Sequence, residues 1–94
     1  MSIATFRHKG LRRFYLDDDA RGLRAAQIEK IRDILTALQE AAEPSDVALF
    51  LGWRVHRLKG DLKGFWSVTI TGNWRIMFRF EDGRAFDVDL IDYH

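Results

Sequence analysis

Three short segments in the second half of the chain carry the side chains best suited to chemistry. The last three residues, Asp92-Tyr93-His94, combine a carboxylate, a phenol and an imidazole. His56 adds a second imidazole, and Lys59 and Arg75 add cations. Metal-free RNA cleavage needs a base for the 2′-hydroxyl proton, an acid for the departing 5′-oxygen and cations for the phosphate. Histidine suits either proton transfer because its ordinary pKa, about 6.5, is near working pH. The sequence therefore offers the parts for cutting RNA to a 2′,3′-cyclic phosphate.

The elements that must position these residues are β-strands, because the hydrophobic pattern here has a period of two. Apolar residues at even positions alternate with mainly polar residues at odd positions in three runs, 66–71, 74–80 and 86–90. We expect the even positions to face the helices and the odd positions to face away. Opposed residues in an antiparallel pair share a face, so each hairpin needs an odd-numbered loop. We therefore predict three-residue loops at 71–73 and 82–84, rather than a two-residue Asp82-Gly83 turn.

The predicted register returns the last residues of the chain to Trp74-Arg75. It pairs Phe80 with Phe86, Phe78 with Val88, Ile76 with Leu90, and Trp74 with Asp92. Arg75 then lies on the outer, polar face, whereas Arg79 faces Asp87 and is expected to be ion-paired rather than catalytic. The strand at 54–59 has no fixed register, because its apolar residues differ in parity and imply a bulge, a strand end or an irregular turn.

The first half of the chain has the 3.6-residue period of helices. Residues 3–6 can form a short strand, and a short helix follows until the Asp17-Asp18-Asp19 run. A longer helix is predicted from about Ala25 to Ala42, ended by Pro44, with a core-facing stripe formed by Ile28, Ile31, Ile34, Leu35 and Leu38. We therefore predict an α+β fold, a single domain over residues 1–94, with a mainly antiparallel β-sheet packed against two or three N-terminal helices.

Composition narrows the classes of protein to which this chain can belong. Its 94 residues are 47% hydrophobic with one proline, which favours a compact domain over a disordered chain. The chain has no cysteine, so disulfides and thiolate metal sites are excluded, and its three histidines are too scattered for a zinc signature. We expect no metal and no cofactor. No signal-peptide pattern and no membrane-length apolar run is present, so we expect a cytoplasmic protein with no membrane partner.

Charge is distributed unevenly, although the formal net charge is only +1. The segment 54–79 contains six basic residues and one acid, whereas 81–92 contains five acids and one arginine. The first segment is the candidate phosphate track, in which Arg54, Arg57 and Lys63 join Arg75 as RNA- or phosphate-binding residues. The alternative is that both segments are solvated faces of the sheet that compensate each other.

Four blocks in one order, together with the opening of the chain, carry a family resemblance over nearly its whole length. The blocks are 56–61, 64–67, 73–76 and 92–94, and the opening segment is 6–11. They resemble the HigB branch of the RelE-like (RelE/ParE) toxins of bacterial toxin–antitoxin systems. The resemblance implies a RelE-like, microbial-RNase-type fold and a ribosome-dependent endonuclease that cuts messenger RNA in the ribosomal A site. It also implies a helix-turn-helix antitoxin of the HigA type, through which alone the toxin would meet DNA.

The same resemblance assigns roles to particular residues. The implied active-site group is His56, Lys59, Asp92, Tyr93 and His94, with Arg75 as a phosphate-contacting neighbour. Our hypothesis gives the 2′-hydroxyl proton to His94 or Asp92 and the leaving group to His56. Lys59 and Arg75 would hold the phosphate, and Tyr93 would orient the substrate or stack on a base. The acid and base roles can be exchanged.

Two other functions remain open on the residues alone. The polar face of the sheet can belong to a non-catalytic module that binds RNA, the ribosome or an antitoxin. The chain can also be a degenerate family member kept only as an antitoxin ligand, although the intact residues 92–94 argue against this. The resemblance further implies that the antitoxin leaves the active site uncovered and blocks access to the ribosome. The long helix and the loop at 17–19 are the candidate docking surfaces.

Overall fold

Three α-helices pack on one face of a five-stranded sheet in a computed structural model of the protein, which describes residues 1–47 and 53–93. The helices are α1 (Lys9–Asp17), α2 (Ile28–Glu40) and α3 (Pro44–Val47). The strands are β1 (Ser2–Ile3), β2 (His56–Arg57), β3 (Phe65–Thr71), β4 (Trp74–Glu81) and β5 (Arg84–Asp92). Their order in the sheet is β1-β5-β4-β3-β2, and only the β1–β5 pair is parallel. The predicted α+β class is confirmed.

The first helix begins and ends with specific caps. At its start, Nδ1 of His8 accepts a hydrogen bond from the backbone N–H of Leu11 at 3.1 Å. This bond satisfies one of the N–H groups that a first helical turn leaves without a partner. The helix ends where Asp18 takes a left-handed conformation with φ 54°, and its N–H closes the last turn onto carbonyl oxygens. The prediction that the aspartate run ends this helix is confirmed.

The second helix buries the predicted stripe. Ile31, Ile34, Leu35 and Leu38 are buried against the sheet. The ends differ from the prediction, because residues 25–27 form a 3₁₀ turn and α2 already stops at Glu40. Pro44 does not end α2 but opens α3, where its fixed φ and missing N–H suit a first helical position. Among the helices at 1–47 and 53–93, none has the length and apolar character to cross a membrane.

The β4–β5 hairpin differs from the predicted register near its loop. Ile76 pairs with Leu90 and Trp74 with Asp92, as predicted. The loop is the two-residue Asp82-Gly83 turn, with φ of 49° and 74°, so Phe80 pairs with Ala85 instead of Phe86. The extra residue that parity requires lies in the strand, where Asp87 (φ 54°) bulges and leaves Phe78 opposite two residues. The predicted three-residue loop was wrong for this reason.

The β3–β4 hairpin also combines a two-residue loop with an extra residue in a strand. Thr71 pairs with Trp74, so the loop is Gly72-Asn73 and not 71–73. The register shifts between Thr69 and Thr71, which places the extra residue in β3. A two-residue turn matches the twist of the strands, and a bulge supplies the odd residue at low cost.

The two faces of the sheet carry two separate apolar clusters. Helices and even-numbered strand residues form the main core, as predicted, except beyond the Asp87 bulge, where Ala85 takes the core position that was predicted for Phe86. The odd-numbered face is not wholly polar, because Leu58 folds over it and buries Phe65 and Met77 in a second cluster. Val55 packs into the main core and Leu58 into the second cluster. These two residues flank the two-residue strand β2, and simple alternation along the chain places them on opposite faces without a bulge. We call the face that carries this second cluster the outer face.

Candidate active site

His56 lies on the outer face with a fixed ring orientation. It pairs with Ser67 across β2 and β3, and directly opposed residues share a face. Its Nδ1 is 2.8 Å from the carbonyl oxygen of Arg54, which has a positive φ of 49°. A carbonyl oxygen only accepts, so Nδ1 carries the hydrogen and Nε2 is the nitrogen left for a substrate. The exposed imidazole therefore presents Nε2 to solvent.

Lys59 and Lys63 line an open cavity of about 370 Å³, together with Arg57, which follows His56 in the chain. Lys59 precedes the 3₁₀ turn Gly60–Leu62, and both ammonium-bearing residues are exposed. Glycines at 60 and 64 take φ of 66° and 98°, a region that side chains rarely occupy. The hydrogen bond from Leu58 N–H to the Phe65 carbonyl, at 2.9 Å, ties this loop to β3. The loop thus holds two cations at the edge of the outer face.

Arg75 is a guanidinium in a fixed position on the same face. It pairs with Thr69 on one side and Ile91 on the other. One of its terminal nitrogens donates to the carbonyl oxygens of Gly72 at 2.7 Å and Trp74 at 3.1 Å. These bonds hold the cation at the β3–β4 turn.

The end of β5 runs beside this turn. Tyr93 donates its backbone N–H to the carbonyl of Asn73 at 2.7 Å, and its side chain is exposed. Asp92 pairs with Trp74 and so shares the helix side of the sheet with that ring. The guanidinium carbon of Arg24 lies 4.7 Å from the centroid of the Trp74 ring. His94 lies outside the described residues.

The structure brings some of the predicted site residues together and separates others. His56 and Arg75 share the outer face. His56 is on β2 and Arg75 on β4, so two strand spacings across the sheet and two residues along it separate them, which corresponds to about 12 Å between their Cα atoms in a flat sheet. Arg57 lines the cavity that Lys59 and Lys63 also line, and its guanidinium carbon is 5.2 Å from the ring centroid of Trp66, its cross-strand partner. Arg54 is exposed, and its carbonyl oxygen contacts the His56 ring.

Two buried hydroxyl groups lie between His56 and Arg75. Ser67 is 1% exposed, and within residues 1–47 and 53–93 neither its Oγ nor Oγ1 of Thr69 has a hydrogen-bond partner. Ser67 is the cross-strand partner of His56, and Thr69 that of Arg75. Burying a hydroxyl without a partner is costly, so these two groups mark the part of the outer face where stability is not optimised.

Sequence reasoning placed Arg79 correctly but overlooked Arg7. Arg79 donates from Nε to Asp87 at 2.9 Å and from a terminal nitrogen to Glu81 at 2.9 Å, so its predicted ion pairing is confirmed. Arg7 reaches the same region, although it precedes α1. Parallel pairing of the N-terminal segment with β5 carries it there, and no sequence period signals such a pairing.

The described part of the chain contains no group of three or more histidines and carboxylates arranged to hold a metal ion. On the outer face the structure places an imidazole and a guanidinium, with ammonium groups at its edge. This set can move a proton at Nε2 of His56 and can stabilise charge on a phosphate.

The fold is shared with a solved structure. A solved YoeB/ParE toxin from Agrobacterium tumefaciens has this fold, with a TM-score of 0.53, 22% identity, and coverage of 100% of this chain and 99% of that chain. The family described as the RelE-like toxin of the type II toxin–antitoxin system HigB matches residues 4–94. The chain belongs to this HigB family, which confirms the resemblance found in the sequence.

Two relatives support the same assignment. The chain is 37% identical over 92 residues to "Endoribonuclease HigB" of Proteus vulgaris, covering 98% of this chain and 99% of the relative. It is 34% identical over 86 residues to "Toxin HigB-1" of Vibrio cholerae serotype O1, covering 90% of each.

Proposed function

We propose that this protein is the toxin of a type II toxin–antitoxin system and an endoribonuclease that cleaves messenger RNA in the ribosomal A site. The observation that carries the proposal is the His56 ring, fixed through Nδ1 and open at Nε2, on the face that also holds Arg75. Family membership and the endoribonuclease relative support the reaction type. The substrate is RNA, since the reaction needs a 2′-hydroxyl as nucleophile.

The chemistry runs without a metal, by proton transfer and charge stabilisation. When His56 is protonated, Nε2–H donates a proton to the departing 5′-oxygen, and when it is neutral, Nε2 accepts one. The Nδ1–H bond to the Arg54 carbonyl is retained in both states, so the ring keeps its orientation through the cycle. His94 takes the 2′-hydroxyl proton in this scheme, and its role and that of His56 can be exchanged. Asp92, the other base that the sequence offered, shares the helix side of the sheet with Trp74 and so lies on the face opposite His56. Lys59 and Arg75 hold the phosphate charge, and Tyr93 orients the substrate.

The modest net charge of the chain bears on how the protein binds RNA. With a formal net charge of +1, local patches supply the affinity for RNA, and Lys63, Arg54 and Arg57 add cations near the site. The ribosome supplies the rest by holding the message in place.

The partner is a HigA-type antitoxin in the cytoplasm, which binds DNA itself and leaves the active site uncovered. The helix side of the sheet suits such a partner, because it lies opposite the outer face.

The test is cleavage of a message programmed into ribosomes, with cut sites mapped by primer extension. Untagged protein is compared with His56→Ala, His94→Ala and a ribosome-free reaction. His8→Asn is the matched imidazole control, because asparagine also caps a helix. We expect cutting that requires both ribosomes and each of the two tested histidines. Cutting without ribosomes would remove the A-site mechanism, and binding without cutting would make the protein a non-catalytic module.

A further inference from the structure

Arg7 lies on the outer face although it belongs to the N-terminal segment. A bridge between Phe6 and Val88, and a hydrogen bond from Arg7 N–H to the Val88 carbonyl at 2.9 Å, fix its backbone against β5. Its guanidinium carbon is 5.1 Å from the centroid of the Phe65 ring, a member of the second cluster. The side chain is held in place by this contact while 51% of it stays exposed.

Among the residues that the structure describes, this guanidinium forms an ion pair with Asp87 but no hydrogen bond. Its closest carboxylate oxygen, on Asp87, is 3.8 Å away, which is beyond hydrogen-bond distance. That same oxygen already accepts a 2.9 Å bond from Arg79. Within residues 1–47 and 53–93, no acceptor lies within bonding distance of the Arg7 side chain. A planar fork of N–H groups that is already positioned but unbonded matches a phosphate.

The loop that leads into Phe65, the ring beneath Arg7, is also cationic. Phe65 directly follows Gly64, which lines the cavity flanked by Lys59 and Lys63. Arg7 therefore adds to the cations of this loop a charge contributed by the N-terminal segment. Only the fold brings these charges together, since more than fifty positions separate them.

The order of contacts along β3 gives Arg7 a place relative to the reaction. Three outer-face residues follow one another on this strand: Phe65 beneath Arg7, Ser67 opposite His56, and Thr69 opposite Arg75. The strand spans about 14 Å from Phe65 to Thr69, whereas stacked nucleotides rise by about 3.4 Å. The two arginines are thus too far apart to bind one phosphate. They flank His56, one on each side.

We propose that Arg7 binds a backbone phosphate of the RNA on the side of the scissile bond opposite Arg75. This inference rests on the proposed function, because it takes RNA as the ligand of the outer face. Arg7 contacts substrate away from the reacting atoms. Its loss therefore weakens RNA binding and leaves the rate of the bound complex unchanged.

The test measures binding of a short single-stranded RNA as a function of salt in the inactive His56→Ala background. We expect Arg7→Ala to weaken binding roughly tenfold and to reduce the slope of log affinity against log salt by about 0.7, as loss of one phosphate contact requires. Arg7→Lys should keep the slope, because the charge remains. Unchanged affinity and slope in Arg7→Ala would overturn the proposal.

The chain offers a closely matched control in Arg32. Its guanidinium carbon lies 4.8 Å from the Phe14 ring, its side chain is 50% exposed, and it pairs with Asp18 at 3.1 Å, but it lies on the helix side. Arg32→Ala should leave affinity and slope unchanged, and an equal loss in both variants would count against a site at Arg7. Circular dichroism of both variants identifies a folding defect, and Arg7→Lys then decides the matter.

Cleavage assays separate this proposal from the proposed function. With His56 intact, Arg7→Ala should raise the RNA concentration that gives half-maximal cleavage and keep the maximal rate. If the wild-type protein does not cleave, the proposed reaction fails, while the binding result still decides whether Arg7 contacts RNA. If the wild-type protein cleaves and Arg7→Ala behaves identically, only the Arg7 proposal fails.

Discussion

At the scale of single residues, the candidate site combines fixed geometry with a local loss of stability. The His56 ring and the Arg75 guanidinium are both held by backbone carbonyl oxygens rather than by carboxylates. Their charges are therefore not neutralised by the groups that orient them. Such an arrangement suits the binding of an anion, since a carboxylate partner would compete with phosphate.

Substitution of Ser67 tests whether the outer face contains a group that lowers the stability of the fold. The buried Oγ of Ser67 has no hydrogen-bond partner in the part of the chain that the structure describes. Ser67→Ala therefore removes an unsatisfied group and should raise the free energy of unfolding by about 1 kcal/mol. Chemical denaturation measures the change. Ser45→Ala is the control, because that hydroxyl is exposed and bonded to Glu43, and no gain is expected there. A less stable Ser67→Ala protein would show that the hydroxyl is satisfied in solution.

At the scale of elements, the loop between α1 and α2 is organised by an ion pair. Hydrogen bonds from the Arg21 side chain and backbone lower the pKa of the Asp19 carboxyl from 3.8 to about 2. Because the folded-state pKa is depressed, the stabilisation is present above the ordinary carboxyl pKa and is lost as pH falls through about 2. We expect Arg21→Ala to return the Asp19 pKa towards its ordinary value, as followed by NMR titration of the carboxyl carbon. An Asp19 pKa that stays near 2 in this variant would contradict the assignment.

The two-residue turn of the β4–β5 hairpin gives a second prediction at this scale. Gly83 has φ 74°, which costs a residue with a side chain about 1–2 kcal/mol. Gly83→Ala should therefore lower the free energy of unfolding by about that amount, as measured by urea denaturation. Asp82→Asn should have little effect, because asparagine tolerates a left-handed conformation. Equal stability of Gly83→Ala and wild type would favour a longer loop.

At the scale of the whole molecule, the limits of sequence reasoning have a clear physical origin. Strand and helix periods predicted the α+β layers and placed Trp74 opposite Asp92, because local patterns encode which face is buried. Parity required an odd residue in each hairpin but did not say whether the loop or the strand holds it. The position of Arg7 depends on a parallel pairing between distant segments. The sequence thus indicated the core and most candidate catalytic residues, but not the cations that the tertiary fold adds.

The two apolar clusters should unfold as one unit, which is what our proposal of a single domain over residues 1–94 requires. Both clusters draw residues from β3 and β4, so neither can lose its strands without the other. We expect a single thermal transition, with equal calorimetric and van't Hoff enthalpies. Met77→Ala, at a position 3% exposed in the second cluster, should lower the stability by about 2–5 kcal/mol without splitting the transition.

The matched control for this substitution is Leu16→Ala, at a position 57% exposed, where a change within about 0.5 kcal/mol is expected. Far-ultraviolet circular dichroism follows the whole fold, and tryptophan fluorescence follows the main core through Trp66 and Trp74. Coincident transitions in both signals for Met77→Ala would mean that the cluster beneath the Lys59 loop is part of the global fold. A separate early transition would mean that this loop unfolds alone. The outer face would then lack the rigid support that orients its cations.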